Sequence, residues 1–139
     1  MITNVGLVKF RDICSDVGSL SVVEGTRDVP FEIKRVYYIT RVPNNTRRGF
    51  HSHKKLHQVL LCLNGSVKIE VFNGNKSEIV ELNDPTCGLY IGPMVWREMY
   101  DFSEGAVLMV LASEYYDEMD YERDFIRYVK EAEEFFDNK

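Results

Sequence analysis

Nine short runs of β-forming residues, each closed by a turn signal, restrict this chain to a β-sandwich or a small barrel. The runs are residues 6–10, 20–24, 33–40, 58–63, 67–72, 77–82, 88–91, 96–102 and 106–112, rich in Val, Ile, Tyr and Phe. Each is strand-sized, and none is long enough for a typical helix. Asn64-Gly65 and Asn73-Gly74 are hairpin signals, because tight two-residue turns need backbone that Asn and Gly tolerate. Asp84-Pro85 and Gly92-Pro93 punctuate the later runs. Many short strands at close spacing predict two packed sheets or a closed barrel.

The period changes at the C-terminus. Between residues 117 and 136, Tyr121, Phe125, Val129, Ala132 and Phe136 recur at helical spacing. Asp117, Glu118 and Asp120 stand where a helix N-terminus favours negative charge. One packing helix with a solvated acidic face is predicted here. With 139 residues and no repeat or linker, the chain is expected to be one domain, residues 1–139.

The charge balance narrows the partners. Lys plus Arg is 17 and Asp plus Glu is 22, a net charge of −5. A general nucleic-acid or anionic-membrane binder would be basic. A phosphorylated small molecule needs only a local basic cluster, so it stays open. No stretch resembles a signal peptide or a bilayer span. The three cysteines, Cys14, Cys62 and Cys87, are odd in number and include no CxxC. A cytoplasmic chain is expected.

All three histidines lie close together, at His51, His53 and His57. On a strand, His51 and His53 put both rings on one face. His57 lacks a partner at that spacing and reads as a rim or surface residue. On 33–40, Ile33, Arg35, Tyr37 and Ile39 share one face, and Lys34, Val36 and Tyr38 share the other. If the first face is interior, Arg35 and Tyr37 can meet the histidine pair. Arg47 and Arg48 precede the pair, and Lys54 and Lys55 follow it, a basic cluster suited to phosphate. No GxGxxG opens a helix and there is no P-loop, in agreement with chemistry that needs no redox cofactor.

The frame His51-x-His53-x₄-Gln58-x₆-Gly65 resembles the first cupin motif, and residues 88–97 resemble the second. Metal-dependent cupins hold their ion with three histidines and a glutamate. Here Gln58 stands for the glutamate and Arg97 for a histidine. Neither is a good metal ligand, so no metal is expected. The blocks Arg48-Gly49-Phe50-His51-Ser52-His53-Lys54-Lys55, residues 33–39, 58–65 and 110–118 resemble the dTDP-sugar 3,4-ketoisomerases. These are metal-free cupins, similar to the sugar epimerases of the rhamnose pathway. The resemblance implies an all-β, cupin-type β-barrel or jelly roll with a C-terminal α-helix. It also departs from the family pattern at two points. Many members have histidine where this chain has Arg97, and Arg-Gly where it has Val17-Gly18.

The resemblance implies a substrate, dTDP-4-keto-6-deoxy-D-glucose, whose ketone moves from C4 to C3 through an enediol. The implied catalytic residues are His51, His53 and Tyr37. Arg35, Arg48, Gln58 and Arg97 are the implied substrate-binding residues. Arg48 is preferred to Arg47 because the family keeps an arginine directly before Gly-Phe-His. Trp96 or Tyr90 could stack on thymine, although packing is the commoner use of a lone Trp. The family pairs its subunits through its sheets, which implies a homodimer with 6–10 and 20–24 as crossing strands. Two other readings are a metal-dependent cupin enzyme and a non-catalytic nucleotide-sugar-binding module.

Overall fold

The computed structural model describes residues 1–137. Its strands are β1 (Val5–Lys9), β2 (Arg11–Ser15), β3 (Gly18–Val22), β4 (Arg35–Ile39), β5 (Arg48–His53), β6 (Gln58–Asn64), β7 (Val67–Phe72), β8 (Ser77–Leu82), β9 (Cys87–Ile91), β10 (Trp96–Tyr100), β11 (Val107–Ala112) and β12 (Tyr121–Glu122). One helix, α1 (Phe125–Asp137), follows. Two five-stranded antiparallel sheets carry the fold, in the orders β1-β9-β6-β11-β4 and β12-β5-β10-β7-β8. This is the cupin-like jelly roll expected from the sequence.

The core fills the space between the sheets. Leu60, Cys62, Leu89, Ile91, Leu108 and Val110 of the first sheet meet Val67, Ile69, Val71, Leu82 and Met99 of the second. On β7, buried and half-buried residues alternate, as a strand with one inward face requires. The first five residues of β6 are buried on both faces. Phe10, Val29 and Phe31 cover its outer side.

The turn signals work differently from one another. Asn73-Gly74 closes the β7–β8 hairpin. Asn64-Gly65 instead carries the chain from one sheet to the other, since β6 and β7 do not pair. Asn64 Nδ2 donates to Gly105 O at 2.8 Å, so this turn is tied to the β10–β11 connection.

The C-terminal prediction needs a correction. The helix starts at Phe125, not near 117. Residues 118–120 form a 3₁₀ turn capped by the Asp117 side chain, and Tyr121–Glu122 pair with β5 as a strand. Pairing with an existing sheet edge overrides the local helical period there. Two further strands, β2 and β5, lie where the sequence showed no run of apolar residues.

Helix α1 packs on the outside of the second sheet through Tyr128 and Ala132, against Trp96 and Phe72. The Tyr128 hydroxyl meets Phe72 O at 2.7 Å and Met94 O at 2.9 Å, and accepts from Trp96 N at 3.3 Å. Burial pushes the Tyr128 phenol well above its usual pKa. Tyr128→Phe strips these backbone groups of a shared partner. The expected cost is about 1–3 kcal/mol, read as a Tm lowered by several degrees in a thermal melt. An unchanged Tm would show that the helix is held by apolar contact alone.

Candidate active site

The site is built on β5. Its partner β10 pairs Arg97 with His51 and Glu98 with Gly49, so Phe50 is an unpaired bulge. Gly49 and Phe50 have φ of 95° and 58°. A Cβ at Gly49 would lie 2.8 Å from Arg97 O, which excludes any larger residue. The bulge ends just before the histidines, and both rings then face inward. Their centroids are 5.0 Å apart and edge-on.

Each ring has a fixed tautomer. His51 Nδ1 lies 3.1 Å from Gly49 O. A carbonyl only accepts, so Nδ1 carries the hydrogen and Nε2 is the basic nitrogen. His53 Nδ1 lies 3.2 Å from Asp120 Oδ2, and the same logic applies. His53 is fully buried and its Nε2 has no hydrogen-bond partner among the described residues. Burial, with Arg97 second, lowers the His51 pKa to about 3. The same causes, in the same order, lower His53 strongly. Both rings are neutral at physiological pH.

Behind them runs a hydrogen-bonded chain. Arg97 Nη1 donates to Gln58 Oε1 at 2.5 Å, and Gln58 Nε2 donates to Tyr37 Oη at 3.0 Å. Tyr37 therefore keeps its own O–H free. Burial raises the Tyr37 pKa, so the phenol stays protonated. Arg97 is fully buried and has no carboxylate partner among the described residues. Desolvation lowers its pKa to about 10, which leaves it charged at neutral pH. Gln58 and Arg97 thus bond each other at the positions where metal-dependent cupins place ligands. Among the described residues no group of His, Cys, Asp and Glu is arranged to hold a metal.

Two adjoining chambers open at this end of the fold. One, of about 390 Å³, is lined by Arg35, Tyr37, Arg48, His51, Tyr121 and Arg123, with no carboxylate in its wall among the described residues. The other, of about 420 Å³, is lined by His53, Lys55, Glu114, Asp117, Asp120 and Tyr121 among others. Arg35, Tyr116 and Tyr121 belong to both. The Tyr121 ring sits 4.3 Å from His53 and 5.0 Å from His51, centroid to centroid.

Most sequence-predicted residues converge here. Arg35 and Tyr37 face inward with Ile39, and Val36 and Tyr38 face outward, as the alternation on β4 predicts. Arg48 lines the cationic chamber, while Arg47 is engaged by Glu98 and Glu70 on the second sheet. Gln58 and Arg97 line neither chamber and sit behind Tyr37 and the histidines. Trp96 packs against α1, and Tyr90 bonds His57 at 2.7 Å, so neither reaches the chambers. Asp120, Tyr121, Tyr116 and Arg123 belong to the site but not to the sequence reading. The helical period hid Asp120, Tyr121 and Arg123, and only the contact between β12 and β5 brings them in.

The WxcM-like, C-terminal (FdtA) family profile matches residues 3–133. A TDP-4-oxo-6-deoxy-alpha-D-glucose-3,4-oxoisomerase from Aneurinibacillus thermoaerophilus is 49% identical over 124 residues, 89% of each chain. The sugar 3,4-ketoisomerase QdtA from Thermoanaerobacterium thermosaccharolyticum, solved in complex with TDP, superposes with a TM-score of 0.96 at 61% identity. That match covers 98% of this chain and 99% of QdtA. A histidine-to-asparagine mutant of QdtA in complex with TDP-4-keto-6-deoxyglucose gives a TM-score of 0.95 at 60% identity, covering 96% and 97%. Matched along nearly its whole length in profile, sequence and structure, the chain belongs to the FdtA family of sugar 3,4-ketoisomerases.

Proposed function

We propose that this chain moves the keto group of dTDP-4-keto-6-deoxy-D-glucose from C4 to C3 through an enediol. The observation that carries the reading is the pair of neutral histidines, both with Nε2 as acceptor, beside a free phenol and an arginine-lined chamber. The related QdtA bound to this keto sugar supports the substrate.

The charges orient the ligand. The diphosphate enters the chamber of Arg35, Arg48 and Arg123, whose lining has no carboxylate, whereas the other sets Glu114, Asp117 and Asp120 against Arg35 and Lys55. This places the sugar beside His51. The C4 ketone acidifies the C3 hydrogen, and His51 Nε2 takes it. Negative charge builds on O4, where Tyr37 O–H donates and Arg35 neutralises. Gln58 and Arg97 act through Tyr37 by holding its oxygen. Protonation at C4 and loss of the O3 hydrogen then give the 3-keto sugar. His53 supplies the C4 proton once it has itself been protonated at Nε2.

The 3-keto product suits amination at C3. We place the enzyme in the biosynthesis of 3-amino-3,6-dideoxy sugars for surface glycans, including lipopolysaccharide O-antigen. It acts as one domain and in the cytoplasm; among the described residues no helix is long and apolar enough to cross a membrane. NMR of the sugar during incubation in D₂O tests the reading. Appearance of the 3-keto sugar, with EDTA-treated enzyme equally active, is the expected result. No product would overturn it, and activity lost to EDTA and restored by one divalent metal would favour the metal-dependent reading.

A homodimer is part of the proposal. The β2–β3 hairpin is exposed along nearly its whole length, Ile13 and Leu20 included. Beside it a groove of about 660 Å³ is lined by Val23, Ile33, Val36, Leu61, Leu63 and Met109. Exposed apolar area of this kind needs a cover, and a second copy supplies it through the same two elements. Sedimentation at micromolar concentration is expected to give about twice the 16.2 kDa chain mass; a stable monomer would count against the dimer.

A further inference from the structure

Glu118 is a carboxylate beside the cationic chamber that the reaction described above leaves unused. Its Oε1 accepts from Arg123 Nη1, and its Oε2 accepts from Tyr116 Oη at 2.5 Å. Arg123 and Tyr116 both line the chamber, and Glu118 itself does not. The Arg123 guanidinium also lies over the Tyr121 ring, 4.3 Å from its centroid, which holds it at the chamber wall. One carboxylate is thus bound by a guanidinium and a phenol, donors that suit two phosphate oxygens equally well. Among the described residues neither Arg35 nor Arg48 has a carboxylate at ion-pair distance. Of the three chamber arginines, two are open and one is masked.

The mask is easily exchanged. The Arg123 and Glu118 side chains are 51% and 56% exposed, and an ion pair this open to water holds weakly. A diphosphate offers the guanidinium two charged oxygens in fork geometry, which is the stronger contact. The backbone around Glu118 is fixed without its side chain. Asp117 Oδ1 accepts from Met119 N at 3.0 Å, and Asp117 O accepts from Asp120 N at 3.1 Å. The Glu118 carboxylate can therefore swing away while the 3₁₀ turn stays in place. Hydrogen bonds from Tyr116 first, and then from Arg123, hold the Glu118 carboxyl below its usual pKa, so at neutral pH it competes as an anion.

We propose that Glu118 competes with the ligand's phosphates for Arg123 and Tyr116, and thereby selects a nucleoside diphosphate over a monophosphate. The inference rests on the placement of the diphosphate beside Arg35, Arg48 and Arg123. A single phosphate held by Arg35 and Arg48 leaves Glu118 where it is. A second, linked phosphate reaches Arg123 and displaces the carboxylate. What it gains is the fork contact less the weaker contact that Glu118 gives up. A monophosphate gains nothing from the third guanidinium. Glu118 touches neither the sugar nor the histidines in this scheme; it acts through Arg123 and Tyr116.

Calorimetric titration of the full chain with thymidine diphosphate and thymidine monophosphate is the test. Glu118→Gln is expected to bind the diphosphate about two- to fivefold more tightly, the range open to loss of an exposed ion pair. Its affinity for the monophosphate should stay that of the wild type. Unchanged or weaker binding of the diphosphate would overturn the competition. Equal tightening for both ligands would overturn the selection, because a general loss of negative charge gives that result. In an Arg123→Met background, Glu118→Gln should alter neither affinity. A gain that persists there would remove Arg123 as the contested group. Arg48→Met checks the placement on which all this rests. It should weaken the diphosphate about tenfold or more, the loss expected for a charge-assisted hydrogen bond. Unchanged affinity in Arg48→Met would overturn the placement, and the competition with it. A loss in Arg48→Met with no gain in Glu118→Gln would overturn the competition alone.

Discussion

Replacing His51 by asparagine is expected to lower turnover by about 10²–10⁴-fold, the usual loss when a positioned general base is removed. The His51 ring is fixed by Gly49 O, with Nε2 as its only basic nitrogen. Asparagine can accept a hydrogen bond there but cannot take the C3 proton. Affinity for the dTDP-sugar should hardly change, because the diphosphate is held by arginines on other positions of the cationic chamber. The lowered pKa of about 3 makes His51 by itself a weak base. The negative diphosphate, entering beside Arg35, Arg48 and Arg123, opposes that depression and readies the ring for proton uptake. Deuterium exchange at C3 in D₂O is the measurement that isolates this step. Exchange by His51→Asn at the wild-type rate would remove His51 from the role of base. His53→Asn should instead exchange at C3 and form little 3-keto product.

Stability is expected to fall steeply as the pH drops below about 6.5. Both buried histidines have folded pKa values below the unfolded value of 6.5. The unfolded chain therefore binds more protons than the folded one in this window, and stability rises with pH. Both contributions are present above pH 6.5 and are lost as the pH falls towards the folded values. At pH 5 each histidine costs about 2 kcal/mol, so the pair costs about 4 kcal/mol. That is a large share of the roughly 5–15 kcal/mol that holds a domain together. Urea unfolding at pH 7 and pH 5 measures the difference. His53→Asn should remove about half of the pH dependence; a flat profile in the wild type would show that the rings titrate normally when folded.

The resting site also explains why Gln58 and Arg97 stand where metal-dependent relatives of the fold keep ligands. They form one hydrogen-bonded unit with Tyr37. An unpaired buried guanidinium is costly, and the chain surrounds it with polar acceptors rather than a carboxylate. A carboxylate in place of Gln58 would neutralise the field that favours an enediolate. Burial keeps the histidines neutral, and the charge of Arg97 adds to that effect on both rings.

What the sequence determined was everything with a short period. Alternation put His51 with His53, and Arg35 with Tyr37, on inward faces of their strands, because a strand's side chains repeat every two residues. All nine predicted runs, from 6–10 to 106–112, correspond to strands within a few residues at their ends. The exposed hairpin strand β2 escaped notice because no side of it is buried, and so no apolar run marks it. The bulge at Phe50 left no apolar signature either; it depends on how β5 meets β10. The largest difference lies at 117–122. There the local pattern reads as helix, but Tyr121 pairs with His53 and Asp120 reaches the same ring. Those partners are 67 or 68 residues away in sequence, and no local periodicity encodes them. The sequence alone therefore determined which residues could do the chemistry. The tertiary structure decided their protonation states, because those depend on burial, on Arg97 from a neighbouring strand and on a carboxylate from a distant turn.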